Sequence, residues 1–83
     1  MLDTISFSQR QRLAYIDFCL LFKGAIHRQD LIKRFEVGLS AGSRDFTLYK
    51  ELAPDNLVYS AQEKRYFQTE SFLPLFEHDA RRT

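Results

Sequence analysis

Residues 28–52, RQDLIKRFEVGLSAGSRDFTLYKEL, constrain the fold more than any other part of this chain. Leu31, Ile32 and Phe35 recur at three- and four-residue spacing, the stripe of a short amphipathic helix that begins at Arg28. Glu36-Val37-Gly38 reads as a tight turn, with Val37 directed inward between two helices and Gly38 near the N-cap of the next. Turning about 100° per residue from Ser40, the residues Gly42, Phe46 and Tyr49 collect at roughly 200°. Ser40, Arg44 and Thr47 collect on the opposite side, flanked by Ser43 and Leu48. Gly42 belongs to the inward set, where a missing side chain lets this helix cross close to its predecessor. Pro54 stops the helix, because the residue before a proline is pushed out of the α region. Two short helices with small and polar residues on the outward face of the second are the layout of a helix-turn-helix. The second helix of that motif enters the DNA major groove.

The flanks complete a recognisable architecture. Ser6 or Ser8 is an N-cap for a first helix reaching about Lys23, with Gly24 as its stop. Between Leu13 and Phe22 only Asp17 is clearly polar, and a helix apolar on nearly every face is buried on nearly every face. Either it is a central core helix, covered by the other helices and the Phe72 to Phe76 segment, or part of it meets a second domain or a second copy of the chain. Gly24 to His27 reads as an extended connector. Leu57-Val58-Tyr59 and Arg65-Tyr66-Phe67-Gln68 read as two strands joined by the polar loop Ser60 to Lys64. A hairpin directly after a helix-turn-helix is a wing. The expected fold is therefore mainly α with a small β-hairpin, a winged helix-turn-helix of three helices plus a two-stranded wing. It would occupy residues 1–70, and residues 71–83 would begin a linker.

Composition limits what such a domain can do. The chain has 83 residues, 45% of them apolar and 14% aromatic, enough for one packed core. Net charge is only +1. Residues 1–35 carry six Lys or Arg against three acids, residues 36–56 two against four, and the rest four against four. The expected recognition helix is thus not basic, and affinity for DNA must come from particular placements rather than bulk charge. The single cysteine, Cys19, excludes an internal disulfide and a Cys-rich zinc site, and its apolar setting reads as a small core residue. His27 and His78 lie in separate segments, without a carboxylate or cysteine at ligand spacing, and read as surface residues rather than metal ligands. Phosphate-binding glycine loops, nucleophile elbows and paired catalytic carboxylates are missing from the sequence, so no enzyme, cofactor or metal is expected. The apolar run from Leu13 is about half a membrane span, which excludes a membrane helix there and fits a cytoplasmic protein.

Several residues are candidates for contact with double-stranded DNA. The Arg44 guanidinium can take guanine O6 and N7 in a bidentate contact. Its alternatives are a phosphate contact or a surface pairing with Glu51 or Asp45. Ser40, Ser43 and Thr47 are short enough for close approach to phosphate or base edges. Ala41 and Leu48 can pack on a thymine methyl. Arg28 and Gln29 open the second helix, whose N-terminus attracts phosphate. Lys64 and Arg65 sit on the wing within reach of phosphate or a minor groove. Arg10 and Arg12 are less expected backbone contacts. A reading from another class keeps the winged fold but makes it a protein-interaction module that docks a partner through its apolar first helix.

The segments RLAYIDFCLLFKGAIHRQDLIKRF, SRDFTLYKELAP and LVYSAQEKRYFQT, taken together, resemble the N-terminal winged domain of bacterial WYL-domain transcriptional regulators. The similarity is to the homodimeric repressors of the BrxR and CapW type, often encoded beside phage-defence operons, and it covers nearly the whole chain. It implies a DNA-binding surface made of Arg28, the Ser40 to Thr47 face and the Lys64–Arg65 wing, acting as a dimer on an inverted repeat. It also implies a WYL ligand-sensing domain and a dimerisation domain beyond this chain, so that any effector would bind elsewhere. Two positions depart from the pattern. Glu36 stands where the turn often has Gly, and Gly38 where a Ser or Thr cap is common.

Overall fold

Ser6 opens the first helix, α1 (Phe7–Phe22), by accepting a hydrogen bond from the Gln9 N–H, and Gly24 at φ 77° turns the chain out of it. The computed structural model describes residues 5–78. After Gly24 come β1 (Ala25–Ile26), α2 (Arg28–Phe35), α3 (Leu39–Leu52) and the hairpin strands β2 (Leu57–Ser60) and β3 (Arg65–Gln68). Helix boundaries follow the sequence signals closely. The Asp30 carboxylate accepts the His27 N–H at 3.0 Å, satisfying a free donor at the start of α2.

Glu36 closes α2 in the left-handed conformation, at φ 53° and ψ 44°, without the glycine that usually relieves the crowding there. Gly38 begins α3 from an extended conformation, and no side chain caps it. The turn thus keeps its geometry although both of its atypical residues forgo the usual local help. Val37, in the turn, is half-buried.

The connector is more structured than its sequence suggests. Ala25 and Ile26 pair antiparallel with Phe67 and Tyr66, so the wing is one side of a three-stranded sheet in the order β1-β3-β2. Between β2 and β3 the register sets Tyr59 opposite Tyr66 and Ser60 opposite Arg65. A two-residue strand has no period to read. It forms because β3 has a free edge where the chain leaves α1, and the Gly24 carbonyl accepts the Gln68 N–H at 2.9 Å.

Leu13, Ile16, Cys19 and Leu20 of α1 are buried and meet Ile26, Leu31, Phe46, Tyr49 and Leu57 in one cluster. Burial of each large aliphatic contributes about 1.5–3 kcal/mol. Leu75, Phe76 and Phe72 pack against the same cluster, which gives α1 the C-terminal cover that the core-helix reading expects. Residues 71–78, placed by sequence with a linker, therefore run as a strap along α1. The cause is Asp17, fully buried on α1. Its carboxylate accepts the Tyr49 hydroxyl and the Leu75 and Phe76 N–H groups, the latter two at 3.0 Å, and lies 2.8 Å from His78 Nε2. Asn56, also buried, extends the network. Its amide donates to the Tyr49 hydroxyl and to the Leu73 carbonyl, and its Oδ1 accepts the Leu73 N–H. His78 is accordingly a buried partner, not the surface residue its sequence suggests, and its ring lies against Phe18 and Phe22.

Burial, and next the hydrogen bond to Asp17, raise the pKa of the Tyr49 hydroxyl far above the ordinary 10.0. Burial also raises the Cys19 thiol from its usual 9.0. In the unfolded chain both groups ionise near those ordinary values, so the stability they contribute is complete below pH 9 to 10 and is lost as pH rises toward the folded values. Thermal melts across pH 7 to 12 should show a plateau and then a decline beginning between pH 9 and 10. The loss through Tyr49 should reach about 1.4 kcal/mol per pH unit. Tyr49→Phe should flatten that decline, and tyrosinate absorbance appearing for Tyr49 near pH 10 in the intact fold would contradict the account.

Candidate nucleic-acid interface

The orientation of α3 is set by its buried face. Gly42, Asp45, Phe46 and Tyr49 are buried, which leaves Ser40, Arg44 and Thr47 exposed and Ala41 and Ser43 half-buried at the borders. Gly42 permits the crossing with α2. A Cβ at that position would stand 3.0 Å from Ile32 Cγ1 and 3.7 Å from Arg28 Cγ.

Asp45 fixes the rotation of the helix. It is fully buried, with both oxygens held by α1: the Arg12 Nε–H donates to Oδ2, and Gln9 Nε2 donates to Oδ1 at 3.2 Å. Arg12 is thereby withdrawn from the nucleic-acid contacts that its sequence position allows. Arg10, the other early arginine of α1, places its guanidinium 5.5 Å from the centre of the Phe76 ring. Arg44, one residue before Asp45, lies about 100° around the helix from it, on the exposed side, while Asp45 is fully buried. Arg44 is exposed, with no ion pair among the described residues.

Arg28 joins the two helices of the motif. Its Nη1 donates to Ser43 Oγ at 3.2 Å, drawing the start of α2 and the middle of α3 onto one surface. Thr47 donates its hydroxyl to the Ser43 carbonyl at 3.0 Å, so its methyl and its oxygen lone pairs are what it can offer outward. Leu48 is not available for a thymine methyl. It is half-buried against the hydrophobic core, because the inward face of α3 extends as far as this position. The exposed large apolar residue of this helix is Leu39, its first residue, at 56% exposure.

The wing is attached to α3 by an aromatic ladder. Phe46 and Tyr66 stack with centroids 4.4 Å apart and planes 9° apart, and Tyr59 tilts onto Tyr66 at 4.9 Å. Between the wing and the start of α2 lies a cleft lined by His27, Arg28, Gln29, Tyr59, Lys64 and Tyr66, with Glu63 adding one negative charge. His27 Nδ1 lies 3.0 Å from the Lys64 carbonyl, which fixes the wing turn beside the α2 N-terminus. Lys64, at φ 57° in that turn, is exposed. Arg65 differs from its wing-tip expectation. It is half-buried, its guanidinium lies over the Phe67 ring at 5.9 Å, and its Nε is buried without a hydrogen-bond partner.

Arg28, Gln29, Ser43 and Lys64 are thus brought to adjoining surfaces, while Arg65 turns along its own strand. His27, Leu39, Tyr59 and Tyr66 were not anticipated. The Tyr pair depends on Ser60 belonging to β2: the loop read from sequence, Ser60 to Lys64, would set Tyr59 opposite Arg65, whereas the observed loop of residues 61–64 sets it opposite Tyr66.

Comparison with known proteins places this geometry in a family context. The model for the BrxR transcriptional regulator winged helix-turn-helix domain matches residues 8–82. The chain is 38% identical over 71 residues to a DNA-binding transcriptional repressor, CapW, of Stenotrophomonas maltophilia, covering 86% of this chain and 24% of that protein. It is 38% identical over 72 residues to the CapW repressor of Pseudomonas aeruginosa, covering 87% of this chain and 24% of that protein. The CapW repressor of Escherichia coli is 37% identical over 68 residues, covering 82% and 23%. The chain spans about a quarter of the length of these curated relatives.

The Arg12–Asp45 bond should behave as a buried pair. Arg12→Ala leaves the Asp45 carboxylate buried without its cation and should cost roughly 3–5 kcal/mol in urea denaturation. The double substitution Arg12→Met with Asp45→Leu should recover most of that loss. A loss under about 1 kcal/mol for Arg12→Ala, the range of an exposed pair, would show that this bond does not hold α3.

Proposed function

Because the chain belongs to the family of BrxR transcriptional regulator winged helix-turn-helix domains, we propose that it binds double-stranded DNA sequence-specifically, with α3 in the major groove. The observation that carries this reading is Arg44, exposed and without an ion pair among the described residues at the centre of a face otherwise made of Ser40, Ser43 and Thr47. An arginine held ready on a face of short side chains suits a bidentate contact with guanine, worth about 1–3 kcal/mol of discrimination. Ala41 borders the same face. Arg28 and Gln29 at the start of α2, with Lys64 on the wing, supply phosphate contacts that set the register of α3 on the duplex.

The relatives are named as transcriptional repressors, and repression is the reading carried to this chain. The full regulator acts in the cytoplasm as a homodimer on an inverted repeat, two copies of α3 reading half-sites about one helical turn apart. In the same reading residues 1–70 carry the DNA-contacting elements, the strap of residues 71–78 covers α1, and the full regulator adds a WYL effector-sensing domain and a dimerisation domain. Among the described residues no helix is long and apolar enough to cross a membrane.

The alternative, partner docking through α1, draws on one feature. Tyr15, Phe18 and Phe35 line an open groove beside Arg34 and His78, and Phe22 is 47% exposed. Fluorescence anisotropy separates the two readings. The chain should bind a duplex from upstream of its own gene more tightly than a scrambled duplex, with weak affinity as a monomer because no second half-site is tethered. Arg44→Ala should reduce the preference about tenfold, the free-energy equivalent of a good base contact. Equal binding to both duplexes that collapses with salt would leave only phosphate attraction. Absence of binding at low salt, with a covalent dimer as well, would favour the docking module.

A further inference from the structure

We infer that Leu39 reads the C5-methyl group of a thymine at the edge of the base set contacted by α3, an inference that rests on the DNA-binding reading above. A lone exposed leucine is ordinary on a protein surface. Leu39 is set apart by its position. It is the first residue of α3, directly after the Gly38 cap, and the N-terminal residues of a recognition helix approach base edges most closely. The other large apolar residues of the helix, Phe46, Leu48, Tyr49 and Leu52, belong to the core or pack against it, so the fold uses each of them. Leu39 has no such use, being 56% exposed at a helix start that would favour an acidic or small polar residue.

The neighbourhood fits the task. Leu39 stands one helical turn before Ser43, which Arg28 holds by a hydrogen bond, so the side chain projects from a part of α3 that is tied down. Ser40 beside it is exposed and short and leaves room for close approach to the groove floor. In the major groove thymine alone presents a methyl group, and an aliphatic side chain is its complement. Arg44 and Leu39 would then divide the readout, one recognising guanine by charge and hydrogen bonding and the other recognising thymine by apolar contact.

The test selects binding sites for the wild-type chain and for Leu39→Ala from a randomised duplex pool at low salt. Wild type should enrich a fixed thymine next to its guanine. Leu39→Ala, which removes an exposed side chain and should melt like wild type, should lose selection at that position and keep it at the guanine. Leu39→Met, which restores an apolar chain of similar length, should regain the thymine. Replacing that thymine by deoxyuridine in the selected duplex deletes only the methyl group. This should weaken wild type about fourfold, the worth of one buried methyl, and leave Leu39→Ala unchanged. Equal selection of the thymine by wild type and Leu39→Ala would overturn the inference while leaving DNA recognition intact, as would an equal deoxyuridine effect on both. If the wild-type chain enriches no sequence, the DNA reading fails and this inference fails with it.

Discussion

A single carboxylate, Asp17, ties α1, α3 and the C-terminal strap to one another. Burying an ionised group is costly unless its oxygens are occupied, and here the Tyr49 hydroxyl, two backbone N–H groups and the His78 ring surround it. The partners come from two separate parts of the chain. Tyr49 lies on α3, and Leu75, Phe76 and His78 lie on the C-terminal strap, so one side chain of α1 fastens both to the core. Asn56 repeats the arrangement one step away by pairing with both backbone groups of Leu73. The apolar cluster supplies most of the driving force. The polar network decides which side of α1 the strap covers and how α3 is seated.

That seating is what makes a weakly charged domain a plausible reader of DNA. Bulk charge offers little, at +1 overall. The fold compensates by sorting its arginines. Arg12 is spent on Asp45, while Arg28 is spent partly on Ser43. Arg44 is left outward because the buried face of α3 runs through Gly42, Asp45, Phe46 and Tyr49. The wing is positioned in turn by the stack of Phe46, Tyr66 and Tyr59, a contact between α3 and the sheet that keeps Lys64 beside the start of α2. Family membership agrees with the architecture.

The sequence revealed those features that have a short period. The helical repeats of α2 and α3, the inward Gly42–Phe46–Tyr49 set and the two hairpin strands were all legible, because each depends on neighbours within a few residues. What escaped depends on distant partners. The two-residue strand β1 exists only because β3 offers an edge. Asp17 looked like an interruption in an apolar helix, and its meaning lies in His78, 61 positions away. Arg12 looked free until Asp45, 33 positions away, was seen to claim it. Leu48 lay at the border of the outward face, where a rotation of a fraction of a turn separates a base contact from a core residue. At the candidate site, therefore, the exposed polar face was readable, and the residues that hold it in place were not.

The central claim is that the surface built from α3, the start of α2 and the wing is the one that meets DNA. Amide chemical-shift mapping of the labelled chain, titrated with the duplex it prefers, tests this most directly. The account predicts shifts concentrated on Leu39 to Thr47, Arg28, Gln29 and Lys64, with the aromatic groove of Tyr15 and Phe18 undisturbed. Shifts confined to that groove, or spread evenly over every basic side chain, would contradict it.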